Sequence, residues 1–439
     1  MEVIYQVLPR IWGKGKFSDW DSKTFDYLKS LNVSAVWYTG VIRHASGREY
    51  VKGDPGSPYS ILDYRDVNAY LADNPSRRME EFCNLVKRTH RSGLKVIIDY
   101  IPNHVCPDCR DVPICSYHDY DWTDTLKVDY NHPDTWRKML EIILFWAGKG
   151  VDGFRCDMVE MVPPEFLKWL IAETRKKYPE MLFIGEVYDR SNYRHFLRDL
   201  GFDLLYDKSG FYDYARAIIC NGASVRNFTS NWQFLQDLQP GMLNFLENHD
   251  EQRFASPFFA SDPSKAFPAL AVGALFNRAS FMLYAGGELG ADASEGAEGR
   301  TSIFNWTNPE ELGLLYKYIH GNKQLDSNRL KLLSRYRDLL SRLSLPLFTD
   351  GYNYDLCWCN SILLGFDPEK HFAFLRYWRP PRRRYAEAAL VVCNFSGEAA
   401  SMTLNIPEDL RAKKELTRLP AQVSLNVEAW DVAVLNPMW

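Results

Sequence analysis

The 439-residue sequence is most informative at first for what it lacks. No apolar run reaches the length of about 18 residues that a bilayer-spanning helix needs, so no membrane partner is expected. Met1-Glu2 passes directly into VIYQVLP, a plausible first strand, with no charged n-region, apolar h-region or cleavage site. There is no excess of one charge: 52 Lys and Arg stand against 56 Asp and Glu, spread along the chain, for a net charge of −4. A nucleic-acid surface would need a basic stripe; the one basic cluster, 382–384 after Pro380-Pro381, reads as a solvated hairpin tip. The nine Cys are odd in number and show no disulfide-framework spacing, which predicts a reducing, cytoplasmic setting. Neither G-x-G-x-x-G nor G-x-x-x-x-G-K-[ST] follows an early strand, which weakens any nucleotide-binding reading.

Aromatic residues, by contrast, make up 14% of the chain, with 13 Trp and 25 Tyr. Flat rings stack on the apolar faces of sugars and favour a carbohydrate binder, although core filling accounts for many of them. The length exceeds one hydrophobic core, so a large domain plus a smaller one is expected. Short β-rich runs at 3–8, 33–38, 95–100, 151–156, 182–187, 202–205, 242–246 and 280–284 alternate with amphipathic segments such as 76–91 and 133–149. Eight is the number of strands that closes a parallel (β/α)8 TIM barrel; a doubly wound sheet is the main competitor. A Cys-, Asp- and Tyr-rich stretch at 105–130 breaks the rhythm and reads as a short inserted subdomain after strand three. After 344 the alternation ends. Strand-like runs at 354–359, 361–366, 371–377, 388–394, 401–406 and 429–435 then predict a C-terminal antiparallel β-sandwich domain at 345–439, beside a barrel of 1–104 and 131–344.

Four segments place carboxylates where such strands open into loops: DYIPNH (99–104), GFRCDMVE (153–160), GEVYD (185–189) and FLENHD (245–250). Side chains at the C-terminal ends of barrel strands face one mouth. Asp99, Asp157, Glu186 and Asp250 would therefore meet there, with Asp157 and Glu186 on adjacent strands. Two close carboxylates flanking a sugar–sugar bond suit retaining glycoside hydrolysis, one attacking the anomeric carbon and the other protonating the leaving oxygen. Arg155, two residues before Asp157, points to the same side of its strand and would keep that carboxylate ionised. His104 and His249 would hydrogen-bond the same sugar, and Trp306, Phe304 and Tyr188 are candidate platforms at the mouth. Cys106, Cys109 and Cys115, with His118, form a cluster able to hold zinc or simply to pack.

In order and spacing, these four segments resemble the signature regions of the α-amylase family of glycoside hydrolases, over a span from the first strand to about Trp306. The resemblance implies Asp157 as nucleophile, Glu186 as general acid/base and Asp250 as transition-state stabiliser. It implies Arg155, His104 and His249 as sugar contacts, Asp99 as a supporting residue, and Tyr59 in GSPYSILDY as the ring beneath the sugar at the cleaved position. The implied substrate is an α-1,4-glucan or maltooligosaccharide, with transglycosylation, disaccharide isomerisation or non-catalytic glycan binding as alternatives. Where many α-amylases carry Lys-His after the nucleophile segment, this chain has Glu160 and Met161. No cofactor is required for the chemistry. Many relatives hold a structural calcium between barrel and insert, and Asn103 and Asp129, in KVDYN, match its ligand positions.

Overall fold

The computed structural model describes residues 1–294, 296–306 and 309–436. Its centre is a closed eight-stranded parallel barrel: β1 (Val3–Val7), β2 (Ala35–Tyr38), β3 (Lys95–Tyr100), β4 (Gly153–Cys156), β5 (Leu182–Gly185), β6 (Leu204–Tyr206), β7 (Met242–Phe245) and β8 (Ser280–Tyr284). Each strand pairs with its neighbours in sequence, and β1 pairs with β8 to close the ring. Nearly every strand position is buried, as expected of strands covered on both faces, which read as continuous apolar runs. All eight expected runs overlap the observed strands. Helices Arg78–Arg91, Thr135–Gly148 and Pro164–Lys177 lie between successive strands. The second of these runs out at Lys149, and Gly150 turns the chain with a φ of +94°, where an added Cβ would meet Val86 at 3.0 Å.

Two excursions rise from the mouth of the barrel. An antiparallel hairpin, Ile42–His44 against Ile61–Val67, follows β2. The 105–130 insert is pinned by His104–Val105 pairing with Leu126–Lys127 and by a bridge between Ile114 and Val128. Cys106, Cys109, Val112 and Val128 of the insert are buried and join the main core of the barrel. The thiols of Cys106, Cys109 and Cys115 are free, and among the described residues no group of three or more His, Cys, Asp or Glu side chains is placed to hold a metal ion. Of the two readings of this cluster, packing is the one these positions fit. His118 is turned away, its Nδ1 against the Tyr120 carbonyl.

The C-terminal region builds a four-stranded antiparallel sheet from β9 (Tyr352–Asp355), β10 (His371–Trp378), β11 (Glu387–Asn394) and β14 (Val432–Leu435). A hairpin of β12 (Ala400–Asn405) and β13 (Gln422–Val427) covers it. One face of the sheet, with Leu375, Leu390 and Val392, packs under the hairpin residues Met402, Leu404 and Val427. The other, with Phe372, Phe374 and Val391, joins the main core of the barrel. Basic residues 382–384 lie in the exposed turn between β10 and β11. The run 361–366 is a correction: Ile362–Leu364 form a helical turn, and Leu363 is 90% exposed.

Arg376 of β10 crosses the junction with the barrel. Its Nη1 donates to the Leu275 and Phe276 carbonyls, and its Nη2 donates to the carbonyls of Phe348 (2.7 Å) and Gly351 (2.9 Å). It is fully buried, and burial lowers its pKa to about 9. Arg376→Met should leave these carbonyls short of donors. At the usual worth of hydrogen bonds to charged groups this costs about 3 kcal/mol or more, readable as a lower thermal unfolding midpoint.

Candidate active site

The strand ends converge as the spacing predicts. Register pairs Asp99 of β3 with Arg155 of β4, and Arg155 with Ile184 of β5. Asp157 and Glu186 are the first residues beyond β4 and β5, and both are buried. Arg155, fully buried, is the hub: its Nη1 lies 2.5 Å from Asp157 Oδ1, and its Nη2 lies 2.6 Å from Glu186 Oε1 and 4.0 Å from Asp250 Oδ2. The rings of Trp37, Tyr59 and Tyr206 stand 5.4–5.5 Å from its guanidinium carbon. A cation so placed is stabilised by ring faces as well as by charge. These groups open into a cavity of about 510 Å³ whose walls include Tyr59, His104, Asp157, Glu186, Tyr188 and Asp250.

Burial and mutual repulsion push several of these carboxylates the same way, upward. Burial raises the pKa of Glu186; Arg155 opposes the rise and the charge of Asp157 adds to it. The Met158 N–H (2.9 Å) and the Tyr188 hydroxyl (2.9 Å) both donate to Glu186 and favour its ionised form, yet the net direction is upward. Asp250, its side chain 38% exposed to the cavity, is also pushed up, by desolvation first and then by repulsion from Glu186. Asp99 is raised to about 6 by burial; it accepts hydrogen bonds from the Gly40 N–H and the Tyr59 hydroxyl. Carboxylates crowded into a desolvated site cannot all ionise at their ordinary values.

Both histidines are held neutral by burial, His104 at about 4 and His249 well below the usual imidazole range. The Gln6 amide donates to His249 Nδ1 at 2.7 Å, which leaves the ring proton on Nε2. That nitrogen faces the Tyr59 hydroxyl at 2.5 Å and Asp250 Oδ2 at 3.1 Å. Tyr59 stacks on the His249 ring at 5.2 Å. His104 Nε2 lies 3.9 Å from Asp157 Oδ2, and its ring packs against Trp122 of the insert. Asp99, His104, Arg155, His249 and Tyr59 thus surround the same three carboxylates.

The three candidate platforms divide between the cavity and its support. Phe304 and Tyr188 line the cavity. Trp306 is part of the supporting wall: its indole N–H donates to Asp54 and its ring meets Tyr70 edge-on. Several contributors escaped the sequence reading. Gln6 was signalled by a lone amide in an apolar strand, and Trp122 by an aromatic inside a polar insert. Glu160 accepts the Tyr188 N–H (2.8 Å) and the Asn192 amide (2.9 Å), tying the loop after β4 to the loop after β5. The two residues implied as metal ligands have other partners. Asn103 Oδ1 accepts from Lys127 Nζ, and Asp129 turns its carboxylate onto the Asn131 N–H.

The family model described as "Alpha amylase, catalytic domain" matches residues 19–112 and 116–333. The chain belongs to the alpha-amylase family. Among curated relatives of this alpha-amylase-family chain, an alpha-1,4-glucan:maltose-1-phosphate maltosyltransferase of Picrophilus torridus is 27% identical over 229 residues, covering 46% of this chain and 35% of its own length. Alpha-amylase 3 of Dictyoglomus thermophilum is 22% identical over 368 residues, covering 71% and 68%. The chain spans only 34–39% of the length of the first curated relatives it matches. A crystal structure of a noncanonic maltogenic alpha-amylase from Thermotoga neapolitana superposes with a TM-score of 0.72, at 22% identity, over 99% of this chain and 98% of the other. That likeness extends the shared fold through the C-terminal sheets. Among the described residues, no helix is long and apolar enough to cross a membrane.

Proposed function

We propose that this alpha-amylase-family chain cleaves α-glucosidic bonds of the α-1,4-glucan or maltooligosaccharide type with retention of anomeric configuration. The observation that carries the reading is the sharing of one buried guanidinium by Asp157 and Glu186. That sharing caps the separation of the two bound oxygens at roughly 7 Å, compatible with the spacing of about 5–5.5 Å in retaining pairs and short of most of the 6.5–9.5 Å span of inverting ones.

In this reading Asp157 attacks the anomeric carbon as the glycosidic C–O bond breaks, and Glu186 gives its proton to the departing oxygen. The product is a glycosyl ester on Asp157 and an ionised Glu186. Glu186 then takes a proton from an incoming hydroxyl, whose oxygen displaces Asp157 and restores both groups. The upward pKa of Glu186 supports its role as the acid. Asp250 and His249 Nε2 would bind ring hydroxyls most tightly as the sugar flattens toward an oxocarbenium ion, above the Tyr59 ring.

Incubation with maltotriose, with anomers followed by proton NMR, tests the proposal: the reducing end newly formed at the cleaved bond should appear first as the α-anomer, above the mixed anomers that the leaving sugar carries over from the substrate. An early excess of β-anomer over that carried by the substrate would exclude retention, and the absence of bond cleavage on α-1,4, α-1,6 and α-1,1 glucosides would leave a glycan-binding protein. The maltosyltransferase among the relatives motivates a second measurement on the same digest. Products longer than maltotriose would identify a sugar as the acceptor, and shorter ones alone would identify water.

Tyr188→Phe removes a donor that favours ionised Glu186. The Glu186 pKa should rise further, so the alkaline limb of kcat/KM should move up by about 0.5–1 pH unit, the scale of one hydrogen bond. A limb that stays in place would show that Glu186 does not set it.

A further inference from the structure

The junction between barrel and insert has a donor set that does not fit calcium. Asn103, fully buried just beyond β3, offers Oδ1 to Lys127 Nζ at 3.2 Å. The same ammonium lies 3.2 Å from Asp119 Oδ1 and 3.1 Å from Asp119 Oδ2. The circuit closes with Asn103 Nδ2 donating to Asp119 Oδ2 at 2.9 Å. The main-chain oxygen of Asn103 is engaged by the Val128 N–H, and Met161 presents its sulfur, 3.9 Å from Asn103 Nδ2. Calcium takes about six to eight oxygens at 2.3–2.6 Å. Here one carboxylate and one amide oxygen converge, and a positive charge already stands between them. A divalent ion added at this point would face the ammonium at close range and find too few anionic ligands to offset the repulsion.

We propose that Lys127 is a built-in cation: its ammonium occupies the place of a structural calcium and fastens the insert to the barrel without metal. The charge balance supports this, since one ammonium matches one carboxylate and leaves Asn103 satisfied on both ends. The placement also matters for the cavity. Lys127 belongs to the short strand paired with His104–Val105, and His104 carries the contact with Trp122. The fastening therefore holds one wall of the site, whether or not the proposed reaction is correct.

Two measurements on the full chain test it. Thermal unfolding of the unaltered protein in excess EDTA and in millimolar calcium chloride should give midpoints within about 1 °C, because a ion that does not bind the native state cannot stabilise it. Lys127→Met keeps the stem and removes the charge, and should lower the midpoint by about 3 °C or more in both media, with a raised KM for maltooligosaccharide. The proposal is overturned if calcium raises the unaltered protein's midpoint by several degrees over EDTA, or if Lys127→Met unfolds at the unaltered temperature. Should Lys127→Met fail to fold, the EDTA and calcium comparison decides alone.

Discussion

Asp157→Asn is expected to lower kcat on maltotriose by roughly 10⁴-fold or more, the scale seen when a group acting only in the transition state is removed. The amide is nearly isosteric and can still accept from Arg155 Nη1, now 2.5 Å from the carboxylate. It cannot form the glycosyl ester. Folding should be spared, because the backbone N–H of residue 157, which donates to the Tyr100 carbonyl at 2.9 Å, is untouched. Removing one of several crowded carboxylates should if anything relieve the site. A thermal midpoint at or above that of the unaltered protein, together with lost turnover, is the expected pair of results. Turnover within tenfold of normal would assign the nucleophile elsewhere.

Arg155→Met should damage both stability and activity. The side chain is fully buried, touches Asp157 and Glu186, and is ringed by Trp37, Tyr59 and Tyr206. Removing one partner of a buried ion pair typically costs about 3–5 kcal/mol, because the remaining charge is left uncompensated. The loss should depend on pH. Without the guanidinium, which opposes the upward shift of Glu186, the folded-state pKa of that carboxyl rises further above its unfolded value of about 4. The native state then holds protons that the unfolded chain releases, so stability falls as pH rises past that value. The deficit relative to the unaltered protein should be small near pH 5, expand toward pH 8 and appear in thermal midpoints. A deficit of equal size at both would assign the cost to packing against the three rings.

The barrel was legible because buried parallel strands leave a plain trace: apolar runs such as KVIIDY and MLNF, each stopping where a polar loop begins. The site was legible for the same reason, since a carboxylate at the end of such a run has little to do but face the mouth. The C-terminal region was harder. In Ser361-Ile362-Leu363-Leu364 the apolar composition imitated a strand, but no sheet edge receives it, and Gly365 closes the turn with a φ of +80°. Strand β13 was missed because QVSLNV puts Gln422, Ser424 and Asn426 on its exposed face, leaving too few apolar residues to register. The hairpin Ile42–His44 with Ile61–Val67 was hidden by the long connection between its strands. Lys127 was beyond reach on other grounds. Its significance lies in contacts with Asn103 and Asp119 across a folded junction, and nothing in the spacing of KVDYN distinguishes a surface lysine from an internal one.

The C-terminal sheet is greasy on both sides, and the side facing the barrel shares its core through Phe372, Phe374 and Val391. Peeling it away would uncover a broad apolar scar on the barrel and strand the four carbonyls that Arg376 serves. Barrel and appendix should therefore melt together in calorimetry, as one cooperative block. For anyone wishing to transplant this scaffold, the smallest portable piece extends through β14.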